Sequence, residues 1–435
     1  MPSVNTTMYK KIRLLGLVWL TSVTLAKAQT INSPYSRYGL GDLVPSQNIL
    51  TRGMGGLSAA FWDPLTINFL NPASYGRLGR TALDIGLELD NRTLRTTDPP
   101  RKFNAYSPTI SYVQFAFPVK QGGGWGFNLG IRPISRINYK IERPYFTPGP
   151  DSVRSLFEGN GGAYEVHAGT GFTLFKNLSI GINGGYFFGT KDFSTRTSIV
   201  NDTVTHTMSN HETKSNYGGF VTSAGLQYRA KIGKTSWLRL GAYGNLQQTL
   251  KGTRDRVVET FQYNVNTGEP ISIDSVYYDG GEKGDVIYPA TYGAGIIFEK
   301  ELKWMLGVDY TETQWKEYSY FGEKDPLRSS WTVRIGAQLY PTNGTSYWRR
   351  VFYRAGFNFG TDYISLDKDL PTWSASVGMG LPMRPPAYSN QFSIINLSLE
   401  VGSRGRRTNL IRENFFRIGV GLSLSDIWFL KRKFD

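Results

Sequence analysis

The chain has 435 residues, 49 of them glycine, with 14% aromatic residues, a mean hydropathy of −0.32 and a formal net charge of +15. It has no apolar run of about 18 residues, which excludes transmembrane helices, and it has no cysteine, which excludes disulfide bonds and thiolate chemistry. The strands of a membrane β-barrel alternate between apolar and polar residues, so this mean hydropathy leaves a barrel open.

The first predicted element is a secretory signal peptide over residues 1–28. Three basic residues precede an apolar stretch, Leu14–Leu25, and an Ala-x-Ala cleavage site ends at Ala28. A buried helix is the alternative, but the Ala-x-Ala spacing favours export. Cleavage removes four basic residues and no acidic one, so the formal charge falls from +15 to +11. An exported basic chain is not expected to bind nucleic acid, and the anionic lipids of an outer membrane are its expected counter-charge.

The mature chain begins with an irregular segment, residues 29–80, which contains a glycine cluster and an Asn-Pro-Ala sequence before the first strand. From Thr81 onward, apolar and polar residues alternate with a period of two, as in β-strands. Fourteen strands are predicted, over residues 81–91, 107–118, 124–135, 163–175, 178–188, 217–230, 236–250, 289–299, 303–313, 330–340, 351–361, 372–381, 391–402 and 413–424.

The connections between these strands alternate in length. Short turns are predicted at 120–123, 176–177, 231–235 and 300–301. Long loops are predicted at 92–106, 136–162, 189–216, 251–288 and 314–329. Outer-membrane barrels have short periplasmic turns and long extracellular loops. The sequence therefore predicts an all-β protein of the bacterial outer membrane, with a 14-stranded antiparallel transmembrane β-barrel over residues 81–435.

A soluble β-sandwich or a large secreted barrel is the alternative fold. The non-apolar face of the predicted strands is rich in Gly, Ser and Asn with scattered charges, which suits a crowded barrel lumen better than a solvated face. Tryptophans at strand starts are typical of an interfacial aromatic girdle, and these are Trp125, Trp237, Trp304, Trp331 and Trp373. The C-terminal run from Ile427 to Phe429 fits an aromatic terminal strand.

The alternation also predicts which charged side chains point into the lumen. The predicted polar network comprises Asp84, Glu88, Arg132, Glu165, His167, Arg334 and Arg417. Further inward charges are expected at Arg239, Asp309, Arg354 and Glu400. When the sheet closes, Asp84 or Glu88 is expected to approach Arg417. The favoured interpretation is structural, with ion pairs that fill the barrel, and the alternative is a polar conduit or a gating network.

Catalytic chemistry finds little support in the sequence. His167 and Glu165 share the inward face, but a hydrolase needs a nucleophile and a base that converge, and no serine is singled out. His206 and His211 are expected to be solvated loop residues rather than metal ligands. We therefore predict no catalytic residue, no metal and no cofactor, with a barrel enzyme as a minor alternative.

The irregular segment resembles the N-terminal region of the FadL family of outer-membrane transporters for hydrophobic compounds. The resemblance rests on Gly53, Gly55, Gly56, Ala59, Ala60, Asp63 and the sequence Asn71-Pro72-Ala73. It implies a 14-stranded barrel with residues 29–80 as an N-terminal plug, or hatch, in the lumen. Ligands would bind from outside, pass when the hatch shifts and leave through a gap in the wall. The implied hatch and ligand path includes Gly53, Gly55, Gly56, Phe61, Trp62, Asp63, Phe69, Asn71, Pro72 and Ala73.

Two functions follow from this comparison. The first is uptake or passage of hydrophobic, fatty-acid-like molecules, with an apolar path formed by hatch aromatics, by the loops, or by Ile110 and Tyr112. The second is a non-transporting accessory subunit of an outer-membrane secretion or assembly complex, bound to partner proteins through extracellular loops such as residues 277–288. The inward face offers little apolar lining, which weighs against transport.

Overall fold

A computed structural model describes residues 32–97, 100–119, 123–146, 152–200, 207–264, 266–268, 270–342, 346–366, 368–383 and 391–427. The predicted signal peptide, residues 1–28, lies outside the described residues, and so do His206, Trp428 and Phe429. No helix in the described part of the chain is long and apolar enough to span a membrane.

The described residues are mostly strands. Among them the single α-helix, α1, is Ile49–Arg52, and short 3-10 helices cover Pro34–Arg37, Pro72–Arg77, Trp315–Glu317 and Tyr347–Arg350. The first nine strands are β1 (Asp42–Leu43), β2 (Thr81–Thr97), β3 (Pro100–Pro118), β4 (Trp125–Phe146), β5 (Ser152–Leu174), β6 (Leu178–Val200), β7 (Met208–Lys231), β8 (Ser236–Asn245) and β9 (Gln248–Tyr263). The others are β10 (Pro270–Tyr288), β11 (Thr291–Lys300), β12 (Trp304–Thr313), β13 (Ser319–Tyr320), β14 (Ser330–Leu339), β15 (Phe352–Ser365), β16 (Asp369–Pro382), β17 (Phe392–Arg404) and β18 (Ile411–Asp426).

These strands form a closed antiparallel barrel with fourteen wall positions, which confirms the predicted fold. β8 and β9 share one position because β7 pairs with both along its length, and β10 and β11 share the next. β1 and β13 are short additions to the wall. The ring closes where β18 pairs with β2, from Ile411 opposite Thr96 to Asp426 opposite Thr81.

The predicted long loops are wrong in one respect, because most of their residues continue the strands. β4 and β5 remain paired as far as Phe146 and Ser152, and β9 pairs with β10 beyond the wall. A hairpin outside the membrane has water on both faces. Its ladder of backbone hydrogen bonds persists while the apolar alternation that reveals a strand in the sequence disappears.

The apolar faces of the wall strands point outward. On β2, the side chains of Leu87 and Leu89 are 50% and 41% exposed, while the intervening Glu88 is 4% exposed. The same arrangement recurs around the ring, with exposed Val166, Ile182 and Val420. Closed strands with an apolar outer face and a polar inner face are the arrangement of a transmembrane β-barrel and the reverse of a soluble one.

The buried apolar residues lie inside the ring and centre on the N-terminal segment, the name used here for residues 32–80. Each of the three buried clusters includes side chains of this segment, respectively Leu40, Phe69 and Met54, packed against inward side chains of the wall. The core is therefore shared between the segment and the barrel.

Candidate functional site

The backbone of the N-terminal segment lies directly on the barrel wall. A methyl group added to any of seven inward glycines would come within 2.0–2.7 Å of a backbone atom of the segment. These glycines are Gly126 on β4, Gly171 on β5, Gly181 on β6, Gly241 on β8, Gly336 on β14, Gly356 on β15 and Gly378 on β16. Only glycine permits so close an approach of two backbones, which explains the glycine-rich inner face.

Inward side chains of the wall also satisfy the buried backbone of the segment, as any buried loop requires. The Asp309 carboxylate accepts hydrogen bonds from the Ser58 and Ala59 N–H groups at 2.6 and 2.8 Å. The Gln227 side-chain amide donates to the Ala59 and Phe61 carbonyls, both at 3.0 Å. The middle of the segment is thus joined to β12 on one side and to β7 on the other.

Two asparagines organise the turns of the segment. The Asn48 side chain caps α1 by accepting from Thr51 N–H at 2.8 Å and donates to the Ile67 carbonyl at 2.7 Å. The Asn71 side chain accepts from Ala73 N–H at 3.1 Å, and its amide donates to Ala59 and to the wall carbonyls of Leu226 and Ala242. Asn71 therefore holds the Asn-Pro-Ala turn against β7 and β8.

Ion pairs hold the first part of the segment. The Arg52 guanidinium contacts Glu88 on β2 and lies 3.0 Å from Glu400 on β17. The Asp42 carboxylate lies 2.9 Å from both Arg92 on β2 and Arg404 on β17. Burial raises the pKa of Asp42, but the two guanidiniums more than offset this effect and leave the pKa below its ordinary value. Burial lowers the pKa of Arg52, and Glu400 only partly opposes that shift.

Wall residues complete this charged cluster. Arg417 lies 3.3 Å from Asp90, 3.6 Å from Glu400 and 3.9 Å from Glu88. Arg404 also lies 2.8 Å from Asp362 and 3.5 Å from Glu413. Of the two predicted neighbours of Arg417 only Glu88 lies beside it, because Asp84 instead accepts from the Tyr112 hydroxyl at 3.2 Å.

The remaining residues of the predicted network lie apart from this cluster. Arg132 is 2.8 Å from Glu165, and Glu165 is 3.7 Å from the Nδ1 of His167. The Nε2 of His167 lies 3.2 Å from the Asn128 amide. Arg334 donates to the Thr311 hydroxyl at 2.7 Å. In the described part of the chain, no group of three His, Cys, Asp or Glu side chains is placed to hold a metal ion.

The predicted hatch residues are distributed along the segment. Gly53 faces Gly378, Gly55 N–H donates to Ser376, and Gly56 lies against Arg334. Phe61 is buried, and Asp63 accepts from Leu65 N–H at 2.8 Å, although burial raises the pKa of this carboxyl. Trp62 packs against the guanidinium of Arg239, and Phe69 packs against Tyr112 and Arg132. Pro72 lies against Gly181 of the wall, and the backbone N–H of Ala73 donates to the side chain of Asn71.

A cavity of about 390 Å³ lies between the N-terminal segment and the wall. Its charged lining residues are Arg52, Arg92, Arg132, Arg334, Arg404 and Arg417, with Asp42, Asp362, Glu400 and Glu413. Sites for hydrophobic small molecules are predominantly apolar. This cavity therefore suits water and ions better than an acyl chain.

The proposed apolar path through Ile110 and Tyr112 is not formed. Ile110 lies opposite Leu87 and is 58% exposed on the outer face. Tyr112 is buried, and its hydroxyl donates a hydrogen bond to the carboxylate of Asp84. A bulge between the two residues leaves Ser111 without a partner on β2 and so reverses the inward and outward faces. The sequence periodicity could not reveal that reversal.

The wall has a break between β3 and β4. In the described residues the two strands pair only between Val113–Pro118 and Gly126–Ile131. Farther along, β4 bulges after Pro133 and pairs with β1 of the N-terminal segment. The charged residues Glu88, Asp90, Arg92 and Arg136 line a small pocket at this level.

The β9–β10 hairpin carries an exposed apolar surface beyond the wall. The members of this hairpin surface are Ile271, Ile273, Val276, Tyr277 and Tyr278, each more than half exposed. One edge of β10 pairs with β9, and in the described residues the other edge pairs only at Val286 and Ile287, with β13. Exposed apolar side chains concentrated on one strand of a hairpin are often part of an interaction site.

Several residues of the site do not stand out in the sequence, among them Asp42, Arg52, Asp90, Arg92, Arg404 and Glu413. Asp90 shares the inward phase of Asp84 and Glu88, so alternation alone identifies it. Asp42 and Arg52 lie in an irregular segment with no period, and only their position in the folded barrel brings them to their partners.

Comparison with known proteins gives both a family and a fold. A family model described as BamG matches residues 8–435. No curated protein matches the chain. Among solved structures, the CymD monoaromatic hydrocarbon channel has a TM-score of 0.55 at 14% identity, over 90% of this chain and 99% of that chain.

Two further solved structures have the same fold. A Pseudomonas aeruginosa FadL homologue has a TM-score of 0.56 at 12% identity, over 89% of this chain and 99% of that chain. The Pseudomonas putida toluene transporter TodX has a TM-score of 0.56 at 14% identity, also over 89% and 99%. Identities this low establish a shared fold and no more, so the resemblance to FadL holds for the architecture. The barrel, its apolar outer face and the family match make this a protein of the bacterial outer membrane, and the chain belongs to the BamG family.

Proposed function

We propose that this protein is a non-transporting accessory barrel of an outer-membrane protein complex, with residues 29–80 as a fixed plug. The observation that carries this proposal is the way the N-terminal segment is held. Ion pairs at Asp42 and Arg52 and close backbone contacts on wall glycines attach it on many sides of the lumen. Moving it would separate buried charges from their partners, which costs about 3–5 kcal/mol for each broken pair.

The hairpin surface supplies the second part of the argument. Five large apolar side chains on β10 are exposed, in a hairpin that extends beyond the closed wall. Aromatic residues are enriched at protein interfaces, and two of the five are tyrosines. A partner protein that covers this surface removes the apolar groups from water.

The test uses variants of the hairpin surface. Ile273→Asp combined with Val276→Asp places two carboxylates in the apolar patch without touching the wall. We expect the variant to fold and reach the membrane, but to lose its partner when purified in mild detergent, as measured by identification of co-eluting proteins and bound lipids together.

Leu410→Asp serves as the matched control, because Leu410 is also exposed but lies in the β17–β18 connection. This variant should keep the partner at the wild-type ratio. Bound acyl chains without any stoichiometric partner in the wild-type preparation would contradict the accessory role.

Passage of hydrophobic molecules is the second candidate, favoured by the break between β3 and β4 in a fold shared with hydrocarbon channels. Leu43 and Ser135 are paired across β1 and β4, where neighbouring Cα atoms lie about 4.5–5.5 Å apart. This spacing suits a disulfide, and the natural chain has no cysteine to compete. If the segment must move for passage, Leu43→Cys with Ser135→Cys should slow uptake of a hydrophobic compound when oxidised and restore it when reduced. A fixed plug predicts the same uptake in both states.

A further inference from the structure

The end of the barrel that carries the short turns has an unusual group of arginines around Trp62. The guanidinium carbons of Arg239, Arg77 and Arg229 lie 4.3, 5.4 and 5.5 Å from the centre of its ring system. Arg229 is also stacked 3.7 Å from Trp237. We call these five side chains the Trp62 cluster.

Acidic side chains compensate this cluster only in part. Glu299 lies 2.8 Å from the Nε of Arg239 and 3.9 Å from Arg229. Arg77 has no carboxylate within ion-pair distance in the described residues and donates instead to the Lys176 and Asn177 carbonyls at 2.9 Å. The Nε of Arg229 is buried without a hydrogen-bond partner among the described residues. The cluster therefore carries three guanidiniums against one nearby carboxylate, and this excess of positive charge favours binding of an anion.

Mutual repulsion is visible at Arg77. Burial is the main cause that lowers the pKa of this guanidinium to about 10, and the charges of Arg229 and Arg239 lower it further. An incoming carboxylate would relieve this repulsion and add charge-assisted hydrogen bonds.

The surrounding turns have the same sign of charge. The described parts of the short turns between wall strands contain five basic residues and one acidic residue. The basic residues are Lys176, Lys234, Lys303, Arg349 and Arg350, and the acidic one is Glu301. Because short turns of outer-membrane barrels face the periplasm, this positive end is directed towards periplasmic proteins.

The position of the arginines distinguishes a protein ligand from the membrane. Arg229 and Arg239 lie on the inward face of β7 and β8, since their neighbours Tyr228 and Leu240 are exposed on the outer face. Lipid headgroups surround the outer rim of a barrel, whereas an extended polypeptide reaches its mouth from below. We propose that the Trp62 cluster is a docking site for an acidic segment of a periplasmic protein, which the positive charge of the surrounding turns attracts towards the barrel mouth.

The inference deepens the proposed accessory role by naming a partner class at the periplasmic end. A direct test uses the full chain purified in detergent and a short fluorescein-labelled peptide of alternating glutamate and serine. Fluorescence anisotropy should detect binding that weakens as salt is added. Replacing glutamate by glutamine in the peptide should abolish it.

The variant Arg77→Gln with Arg229→Gln should bind the acidic peptide about tenfold more weakly, because it removes two charge-assisted contacts. Arg349→Gln with Arg350→Gln removes the same charge from an exposed turn of the same end and should bind within about twofold of wild type. If the first variant does not fold, Arg229→Gln with Lys231→Gln replaces it, since neither side chain donates a hydrogen bond to the N-terminal segment.

Three results would overturn the inference. An equal loss in both double variants indicates a diffuse positive field without a site. Displacement of the peptide by inorganic phosphate or by anionic phospholipid vesicles at comparable concentration indicates a general anion or lipid site. Absence of binding at low salt indicates no site at all. The hairpin variants lie at the opposite end of the barrel, so failure here leaves the test of the accessory role intact.

Discussion

The two parts of the N-terminal segment are attached to the same barrel by different forces. In residues 33–52, a short backbone pairing joins β1 to β4, and the charged side chains of Asp42 and Arg52 each reach two wall residues of opposite charge. In residues 53–80, the backbone itself lies on wall glycines and bonds to neutral amides and to Asp309. A charged attachment fails as a unit when one member is lost, whereas a backbone attachment fails at one site at a time. The variants below test this difference.

Arg52→Met should have the largest effect. In the described part of the chain it leaves Arg417 as the only guanidinium near the buried Glu88 and Glu400, and removal of one partner of a buried ion pair costs about 3–5 kcal/mol. Urea titration of the barrel in lipid vesicles, followed by tryptophan fluorescence, measures the free energy of unfolding. Arg143→Met, at an exposed position of the β4–β5 hairpin, is the control and should change it by less than about 0.5 kcal/mol. Equal effects of the two changes would mean that the buried cluster contributes nothing.

Asp309→Leu should have the next largest effect. It leaves the Ser58 and Ala59 N–H groups buried without an acceptor, at a cost of about 1–3 kcal/mol for each group. Asp309→Asn keeps one acceptor oxygen and should recover part of the loss in the same titration. If the leucine and asparagine variants unfold at the same urea concentration, these two hydrogen bonds do not hold the segment.

Gly356→Ala tests a single backbone contact. The added methyl group would lie 2.0 Å from the Gly55 nitrogen, and such overpacking costs about 1–3 kcal/mol. We expect limited proteolysis to cut the segment near Gly55 faster than in wild type while the barrel stays folded.

Gly184→Ala is the matched control for that change, because nothing lies within 4 Å of the corresponding methyl position. It should leave the proteolysis rate unchanged. Faster cleavage in both variants would show that glycine is needed for the strands themselves and not for the approach of the segment.

Lys251→Met should have the smallest effect. Lys251 lies 2.7 Å from Asp285, but both side chains are more than half exposed. Exposed pairs contribute about 0–1 kcal/mol, so the urea midpoint should barely move. A loss comparable with that of Arg52→Met would show that burial does not determine how much an ion pair stabilises this barrel.

The sequence by itself determined the barrel. Apolar and polar residues alternate over fourteen stretches, which are joined by short and long connections in turn, and this pattern predicted the wall positions and the apolar outer face. It could do so because successive side chains of a strand point alternately to the outside and the inside of the barrel. The same alternation identified Glu88, Arg132, Glu165 and Arg417 as inward residues. The signal peptide stays a prediction, since residues 1–28 lie outside the described part of the chain.

Only the tertiary structure decided how the interior is filled. The partners of Asp42 and Arg52 lie on strands far away in sequence, and an irregular segment has no period from which they can be read. The sequence placed the glycines on the inward face of a crowded lumen, but only the structure shows that they lie against the backbone of the segment. In β3, the bulge at Ser111 reversed the two faces of the strand. Simple alternation therefore predicted an inward Ile110, whereas this side chain points outward. Alternation records the face of a residue within an unbroken ladder, whereas contacts between a loop and a wall depend on how the whole chain packs.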